Sequence, residues 1–165
     1  MRATRAASDE RLLELLVGRL DAMMRNGTTT CEIKSGYGLE WETELKMLRT
    51  IKAAQGLHRM GTRASFLVHA VPQGTTSAEV ADAVIAKQLP RLRRLVDAGE
   101  VSADFVDVFC EKGFFAYEDT VRILEAGKAL GFEASFHGDE LNDMGCGALA
   151  KAVGARAVSH LEMLR

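Results

Sequence analysis

Residues 133–140 read EASFHGDE, a short apolar run that ends in a histidine and two acids. An apolar run also ends in a histidine at residues 66–69, FLVH, and at residues 157–160, AVSH. Short apolar runs of this kind are typical of buried parallel strands. Each histidine is therefore expected at the carboxyl end of a strand, where α/β sheets and barrels build their sites. A hydrogen-bonded core histidine is the structural alternative.

Helical patterns alternate with these runs along the whole chain. The predicted strands cover residues 28–33, 65–71, 105–109, 133–137 and 155–159. The predicted helices cover residues 8–25, 117–130 and 141–153, with others around 45–51 and, after a capping-box pattern at 76–79, around 80–84. Such alternation predicts βαβ units and a parallel sheet. A closed eight-stranded barrel takes about 250 residues, so five units in 165 residues predict part of a (β/α)8 barrel, with an open doubly wound sheet as the alternative.

The composition limits the classes of partner. The chain is 47% hydrophobic and 27% charged with a net charge of −2, which favours a globular domain over a nucleic-acid or anionic-membrane binder. The loop at residues 34–39, KSGYGL, lacks the glycine patterns of dinucleotide and phosphate sites. No segment has the pattern of a signal peptide or a membrane span. Three cysteines without CxxC spacing argue against a disulfide framework and favour a cytoplasmic protein.

The strongest chemical signal is the imidazole of His137, followed within one turn by Asp139 and Glu140. A hydrolytic metal site needs a neutral imidazole ligand and an acid or base beside the activated water. His137 and Glu140 suit these two roles. The alternative is that Asp139 and Glu140 open a helix, where acids favour the helix dipole, while His137 forms a local hydrogen bond.

Other polar residues at strand ends extend this candidate site. His160 follows the next strand and is expected to converge with His137, because neighbouring strands lie about 5 Å apart. His69 could orient a substrate carbonyl or carboxylate, or form a structural hydrogen bond. Tyr37 stands between two glycines and could lean into a cleft or simply cover the loop. His58 is interpreted as a surface residue.

Four further charged residues lie at or near predicted strand ends. We expect them to form a network that lines the barrel mouth and assign them no catalytic role. These residues are Glu32, Lys34, Asp107 and Glu111.

Taken together, these motifs resemble the imidazolonepropionase family, metal-dependent amidohydrolases of histidine degradation. The resemblance runs in order through nearly the whole chain. It is carried by residues 32–39 (EIKSGYGL), 42–49 (ETELKMLR), 69–72 (HAVP), 106–111 (VDVFCE), 137–140 (HGDE) and 159–162 (SHLE).

The resemblance implies a (β/α)8 amidohydrolase barrel of which this chain supplies about strands 2 to 6. It implies that His137 binds one zinc or iron ion and that Tyr37 and His69 contact imidazolone propionate. Glu140 would bind the substrate ring and carry a proton to or from the activated water, and His160 would polarise the attacked carbonyl. The product implied is N-formimidoyl-L-glutamate.

Several features of the family have no counterpart in this sequence: the first-strand His-x-His metal pair, a substrate-binding arginine, the late-barrel metal aspartate and the accessory β domain. Residues 1–165 are therefore expected to form a single partial catalytic barrel domain, inactive alone, from the middle of a longer enzyme. The expected partner is a small-molecule substrate, and neither nucleic acid nor membrane is expected to bind. A homodimer is a possible state of the full-length enzyme. The alternatives are a related cyclic-amide hydrolase or deaminase, a non-catalytic interaction domain, and an unrelated α/β protein such as a metal-independent lyase barrel.

Overall fold

A five-stranded parallel sheet forms the centre of the computed structural model, which describes residues 1–163. The strands are β1 (Thr30–Lys34), β2 (Gly61–Val68), β3 (Phe105–Cys110), β4 (Glu133–Gly138) and β5 (Ala157–His160). Each strand pairs with the next one along the chain, so the sheet order is β1-β2-β3-β4-β5. A doubly wound sheet reverses its strand order at a switch point, whereas this order never reverses. The predicted partial (β/α)8 barrel is confirmed.

Helices connect the strands and cover one face of the sheet. They are α1 (Arg2–Ala6), α2 (Asp9–Arg25), α3 (Trp41–Leu57), α4 (Ser77–Ala83), α5 (Leu89–Asp97), α6 (Tyr117–Ala129) and α7 (Cys146–Val153), with a π-helical segment at Val84–Gln88 between α4 and α5. Ser8 caps α2 by accepting a hydrogen bond from the Arg11 N–H. The capping box of Thr76 and Glu79 is formed at α4 as predicted. Among residues 1–163, no helix combines the length and apolar composition needed to cross a bilayer.

The largest differences from the sequence prediction are two shifted boundaries and two helices that were not predicted. The helix expected over 141–153 begins only at Cys146, because acidic side chains bind the backbone before it, as described below. Strand β2 spans Gly61–Val68 rather than 65–71, so His69 is the first residue after the strand. Helix α1 was not predicted. The helix predicted around residues 80–84 was also not expected to continue to Asp97, as it does through the π-helical segment and α5. Helix α1 has only five residues, too few for a periodic signal. Helix α5 does have apolar residues at helical spacing, Leu89, Leu92, Leu95 and Val96, which the sequence prediction did not use.

The two faces of the sheet differ in polarity because side chains alternate along each strand. Val106, Val108, Ala134 and Phe136 point to the helices and belong to the main apolar core. Asp107, Phe109 and His137 alternate with these apolar residues along β3 and β4, and they point to the opposite, concave face. The strand pattern thus places polar side chains inside the curve of the half-barrel, which is where the candidate site lies.

Gly138 packs too tightly against α7 to accept a side chain. A Cβ atom at this position would lie 2.3 Å from Sγ and 2.8 Å from Cβ of Cys146. We expect Gly138→Ala to destabilise the protein by about 1–3 kcal/mol, because overpacking a dense core forces neighbours to move. Urea denaturation measures this loss, and Cys146→Ala should recover part of it in the double variant.

Gly18→Ala is the matched control, because a Cβ atom at this α2 position would meet no atom within 4 Å. This substitution should leave the free energy of unfolding unchanged or raise it slightly, since alanine favours helices. Equal stability of Gly138→Ala and the parent protein would contradict the packing described at Gly138.

Candidate active site

The carboxyl ends of the strands surround a cavity of about 390 Å³. Its lining consists of Lys34, Tyr37, Leu67, His69, Phe109, His137, Glu140 and His160. All five residues that the sequence singled out for substrate binding, metal binding or catalysis therefore lie around one volume. The cavity has the size of a small-molecule site.

His137 occupies the concave face of β4, and its side chain is 17% exposed. Its Nδ1 lies 2.9 Å from Oδ1 of Asp107, a fully buried residue on β3. A carboxylate only accepts hydrogen bonds, so Nδ1 carries the proton and Nε2 keeps its lone pair. Metal-binding histidines are commonly oriented in this way by a carboxylate on the other ring nitrogen.

A partly buried ion-pair network continues from Asp107 to β1. The Lys34 ammonium donates to Oδ2 of Asp107 at 2.7 Å and to Oε1 of Glu32 at 2.6 Å. Ser65 also donates a hydrogen bond to Glu32. Burial acts to lower the pKa of Lys34, but the two carboxylates outweigh it and raise the pKa above its ordinary value. The network joins three of the four charged residues expected to form it, and Glu111 lies apart from it.

Glu140 and His160 face each other beside His137. Oε2 of Glu140 lies 3.4 Å from Nε2 of His160, and the His160 ring centroid lies 5.6 Å from that of His137. His160 and Leu161 both adopt positive φ, and the Leu161 N–H donates to the Gly138 carbonyl at 3.0 Å. The sharp turn after β5 therefore returns the chain to β4 and brings His160 to the cavity.

A row of rings lines one wall of the cavity. Tyr37 and His69 meet edge to face with centroids 4.9 Å apart, and Phe109 lies between His69 and His137 at 5.7 and 6.3 Å. His69 Nδ1 donates to the Gly36 carbonyl at 3.1 Å, so Nε2 is the acceptor of the neutral ring. Phe109 was not predicted as part of the site, although its position two residues after Asp107 places it on the same face of β3.

The loop that carries Tyr37 is held by Glu44 of α3. This buried carboxylate accepts hydrogen bonds from the N–H groups of Gly36, Gly38 and Leu39 at 2.5, 2.8 and 2.9 Å. Gly36 has φ of +103°, which glycine adopts without strain. Sequence reasoning missed Glu44, because a helix-period pattern does not indicate that an acid turns back onto the preceding loop.

We expect Glu44→Gln to loosen this loop. The amide offers a single acceptor oxygen, and hydrogen bonds to charged groups contribute about 1.5–3 kcal/mol each. Loss of one such bond should raise amide hydrogen exchange in residues 36–39 by roughly 10- to 100-fold, measured by mass spectrometry or NMR. Glu42→Gln on the same helix is the control, since Glu42 is exposed and contacts Arg91. Unchanged exchange in Glu44→Gln would contradict the role assigned to this carboxylate.

The loop that carries Glu140 is held by two further acids. Glu111 accepts hydrogen bonds from the N–H groups of Leu141 and Asn142 at 2.9 and 3.3 Å and from the Asn142 amide at 2.8 Å. Asp139 accepts from the N–H of Met144 at 2.7 Å. Burial acts to raise the pKa of Glu111, but its hydrogen bonds outweigh it and lower the pKa below the ordinary value. These contacts replace the first helical turns that the sequence predicted from residue 141.

His58 was interpreted as a surface residue, and this prediction is wrong. Its side chain is only 7% exposed and lies 3.1 Å from Oδ1 of Asp21 on α2. Its Nδ1 accepts a hydrogen bond from the Met60 N–H at 3.1 Å. His58 therefore joins α2 to the start of β2, away from the cavity.

Comparison with known proteins gives a consistent set of relatives. A probable imidazolonepropionase of Dictyostelium discoideum is 52% identical over 163 residues, covering 96% of this chain and 38% of that protein. A probable imidazolonepropionase of Homo sapiens is 49% identical over 160 residues, with the same two coverages. The chain is a homologue of the imidazolonepropionases. No protein-family profile matches it.

The homology with imidazolonepropionases extends over nearly all of this chain but over little of the relatives. A probable imidazolonepropionase of Nematostella vectensis is 45% identical over 157 residues, which are 94% of this chain and 37% of that protein. The chain thus spans less than two fifths of the length of the imidazolonepropionases that it matches.

The donor set for a metal is partial in this imidazolonepropionase homologue. Within residues 1–163, no three His, Cys, Asp or Glu side chains are grouped so as to hold a metal ion. His137 fits a single ligand position, because Asp107 occupies Nδ1 and Nε2 has no hydrogen-bond partner among the described residues. All three cysteines are free, and Cys110 and Cys146 are buried outside the cavity lining.

Proposed function

We propose that this chain is part of an imidazolonepropionase, which hydrolyses 4-imidazolone-5-propanoate to N-formimidoyl-L-glutamate. The supporting observation is the convergence of Tyr37, His69, His137, Glu140 and His160 on one cavity, in a chain about half identical to proteins of that name. Within the proposal, residues 1–165 are a single partial barrel domain supplying about strands 2 to 6. The complete enzyme acts in the cytoplasm on a small molecule, as a monomer or a homodimer.

His137 is the proposed metal ligand of this segment. Its Nε2 is free to coordinate zinc or iron, and the remaining ligands are assigned to parts of the protein beyond this chain. The metal, when bound, lowers the pKa of a coordinated water to about 7 and acts as a Lewis acid toward the lactam carbonyl. Neutral imidazole and carboxylate donors suit both ions.

Glu140 is the proposed proton carrier of the hydrolysis. The reaction forms a C–O bond between water and the lactam carbonyl carbon and breaks the C–N bond of the ring. The Glu140 carboxylate takes a proton from the water and gives it to the leaving nitrogen, so that the proton count balances. General acid–base catalysis of this kind contributes about 10²- to 10⁴-fold in rate.

The other three side chains are proposed to bind and polarise the substrate. His160, whose Nε2 lies 3.4 Å from Oε2 of Glu140, is assigned to donate a hydrogen bond to the attacked carbonyl oxygen. His69 offers Nε2 as an acceptor for a ring N–H, because its Nδ1 proton is donated to Gly36. Tyr37 offers a phenol that is half exposed at the cavity rim.

The proposal is tested with the full-length protein encoded by the reading frame that contains this chain. Incubation with 4-imidazolone-5-propanoate should consume the imidazolone absorbance and yield one N-formimidoyl-L-glutamate per substrate without release of ammonia. Removal of the metal by a chelator should stop the reaction, and zinc or iron should restore it. Ammonia release would indicate a deaminase instead, and no reaction with the metal-loaded protein would reject the proposed substrate.

A further inference from the structure

We propose that Asp107 and Lys34 are positioning residues of the site, in which Lys34 fixes the orientation of Asp107 and Asp107 fixes the tautomer of His137. This inference rests on the proposed function, in which Nε2 of His137 binds a metal. The sequence indicated a charged network at the barrel mouth that includes both residues, but no catalytic role for either. Asp107 is fully buried, whereas Lys34 is partly exposed, and only Lys34 reaches the cavity lining.

The two oxygens of Asp107 have different partners. Oδ1 accepts from Nδ1 of His137 at 2.9 Å, and Oδ2 accepts from Nζ of Lys34 at 2.7 Å. The side chain of Asp107 has no solvent exposure, so water does not replace either partner. Lys34 is itself held on β1 by Glu32 at 2.6 Å, which keeps the ammonium beside Oδ2.

This arrangement specifies one tautomer of His137. An ammonium only donates hydrogen bonds, and a carboxylate only accepts them. Asp107 therefore presents an acceptor to both neighbours, which requires the His137 proton on Nδ1 and leaves the Nε2 lone pair for a metal. The position of the proton is thus determined by residues on two other strands, β1 and β3.

Replacement of Asp107 by asparagine reverses this specification. Asparagine has one acceptor oxygen and one donor NH₂ in place of two acceptors. Since Lys34 only donates, the amide oxygen must face Lys34, and the NH₂ group then faces Nδ1 of His137. Nδ1 becomes an acceptor, the ring proton moves to Nε2, and the nitrogen that faces the metal position loses its lone pair.

Removing Lys34 as well should undo the effect. In the double variant Lys34→Met with Asp107→Asn, no ammonium requires the amide oxygen, so the amide is free to turn this oxygen toward His137. Nδ1 then regains an acceptor and Nε2 its lone pair. A role for Lys34 limited to stabilising the fold predicts the opposite, because a second substitution in the network would only destabilise the site further.

The test measures zinc affinity of the full-length protein by competition with a chelator. Asp107→Asn should weaken zinc binding by about 10- to 100-fold, the usual cost of losing the group that orients a metal-binding histidine. The double variant should bind zinc more tightly than Asp107→Asn does. Lys46→Met is the control, since Lys46 contacts backbone carbonyls of Arg5 and Ala7 outside the cavity and should leave zinc affinity unchanged.

A second measurement follows the tautomer directly. ¹⁵N NMR of the metal-free, histidine-labelled protein should show the His137 proton on Nδ1 in the parent and on Nε2 in Asp107→Asn. Parental zinc affinity or an unchanged tautomer in Asp107→Asn would overturn the role of Asp107. A double variant that binds zinc no better than Asp107→Asn would overturn the role of Lys34. Failure of the metal assignment itself is recognised separately, because His137→Ala would then keep its zinc.

Discussion

Replacement of His137 by alanine is expected to abolish turnover of the full-length protein and to lower its metal content by about tenfold or more. Catalytic zinc sites usually have three protein ligands and one open position, so the loss of one imidazole leaves too few donors. Among residues 1–163, His137 is the one histidine of this cavity with a ring nitrogen hydrogen-bonded to a buried carboxylate. Metal analysis by mass spectrometry and a steady-state assay measure the two effects.

The control for this variant is His58→Ala. His58 is also a largely buried histidine with a carboxylate neighbour, Asp21, but it lies between α2 and β2 and not in the cavity lining. His58→Ala should retain metal and turnover even if it unfolds at a lower temperature. Parental metal content in His137→Ala would reject His137 as a ligand.

Replacement of Glu140 by glutamine is expected to lower kcat by about 10²- to 10⁴-fold while metal content stays near the parental value. The amide is close in size to the carboxylate but does not accept a proton from water. The loop geometry should survive, because it depends on Glu111 and Asp139 rather than on the Glu140 side chain. Stopped-flow or steady-state kinetics together with metal analysis test the prediction.

Glu118→Gln is the matched control for the loss of a carboxylate. Glu118 is exposed on α6, outside the cavity lining, and its replacement should leave kcat unchanged. Near-parental kcat in Glu140→Gln would reject the proton-transfer role of Glu140. His160, its neighbour in the cavity, would then be the next candidate for that role.

Much of the fold could be predicted from local sequence, because the hydrophobic period determines both element type and exposed face. The runs at 66–69, 133–137 and 157–160 ended within one residue of a strand end, and their regular alternation with helices implied the parallel order. The start of α7 was not predictable in this way. It depends on Glu111, which binds the N–H of Leu141 across 30 residues of sequence.

Some residues of the candidate site could likewise be predicted from the sequence, and others could not. Residues such as His137 and Glu140 could be predicted from their chemical type and from their position at the end of a strand. Glu44 carries no such signal, since an acid in a helix is usually solvated. The position of Glu111 near a strand end did predict a network at the barrel mouth, but not its contacts with the loop that carries Glu140. Their function follows only from the tertiary contacts, in which each accepts several backbone hydrogen bonds from a site loop. Such carboxylates stabilise the loops of a site although they do not line its cavity.

The most direct test of the account is a crystal structure of the metal-loaded full-length protein with anomalous data at the metal edge. We predict an anomalous peak bonded to Nε2 of His137, with Asp107 on Nδ1 and Tyr37, His69, Glu140 and His160 around the same volume. A metal bound at a site that excludes His137, or an Nε2 atom engaged by another protein group, would contradict the central claim.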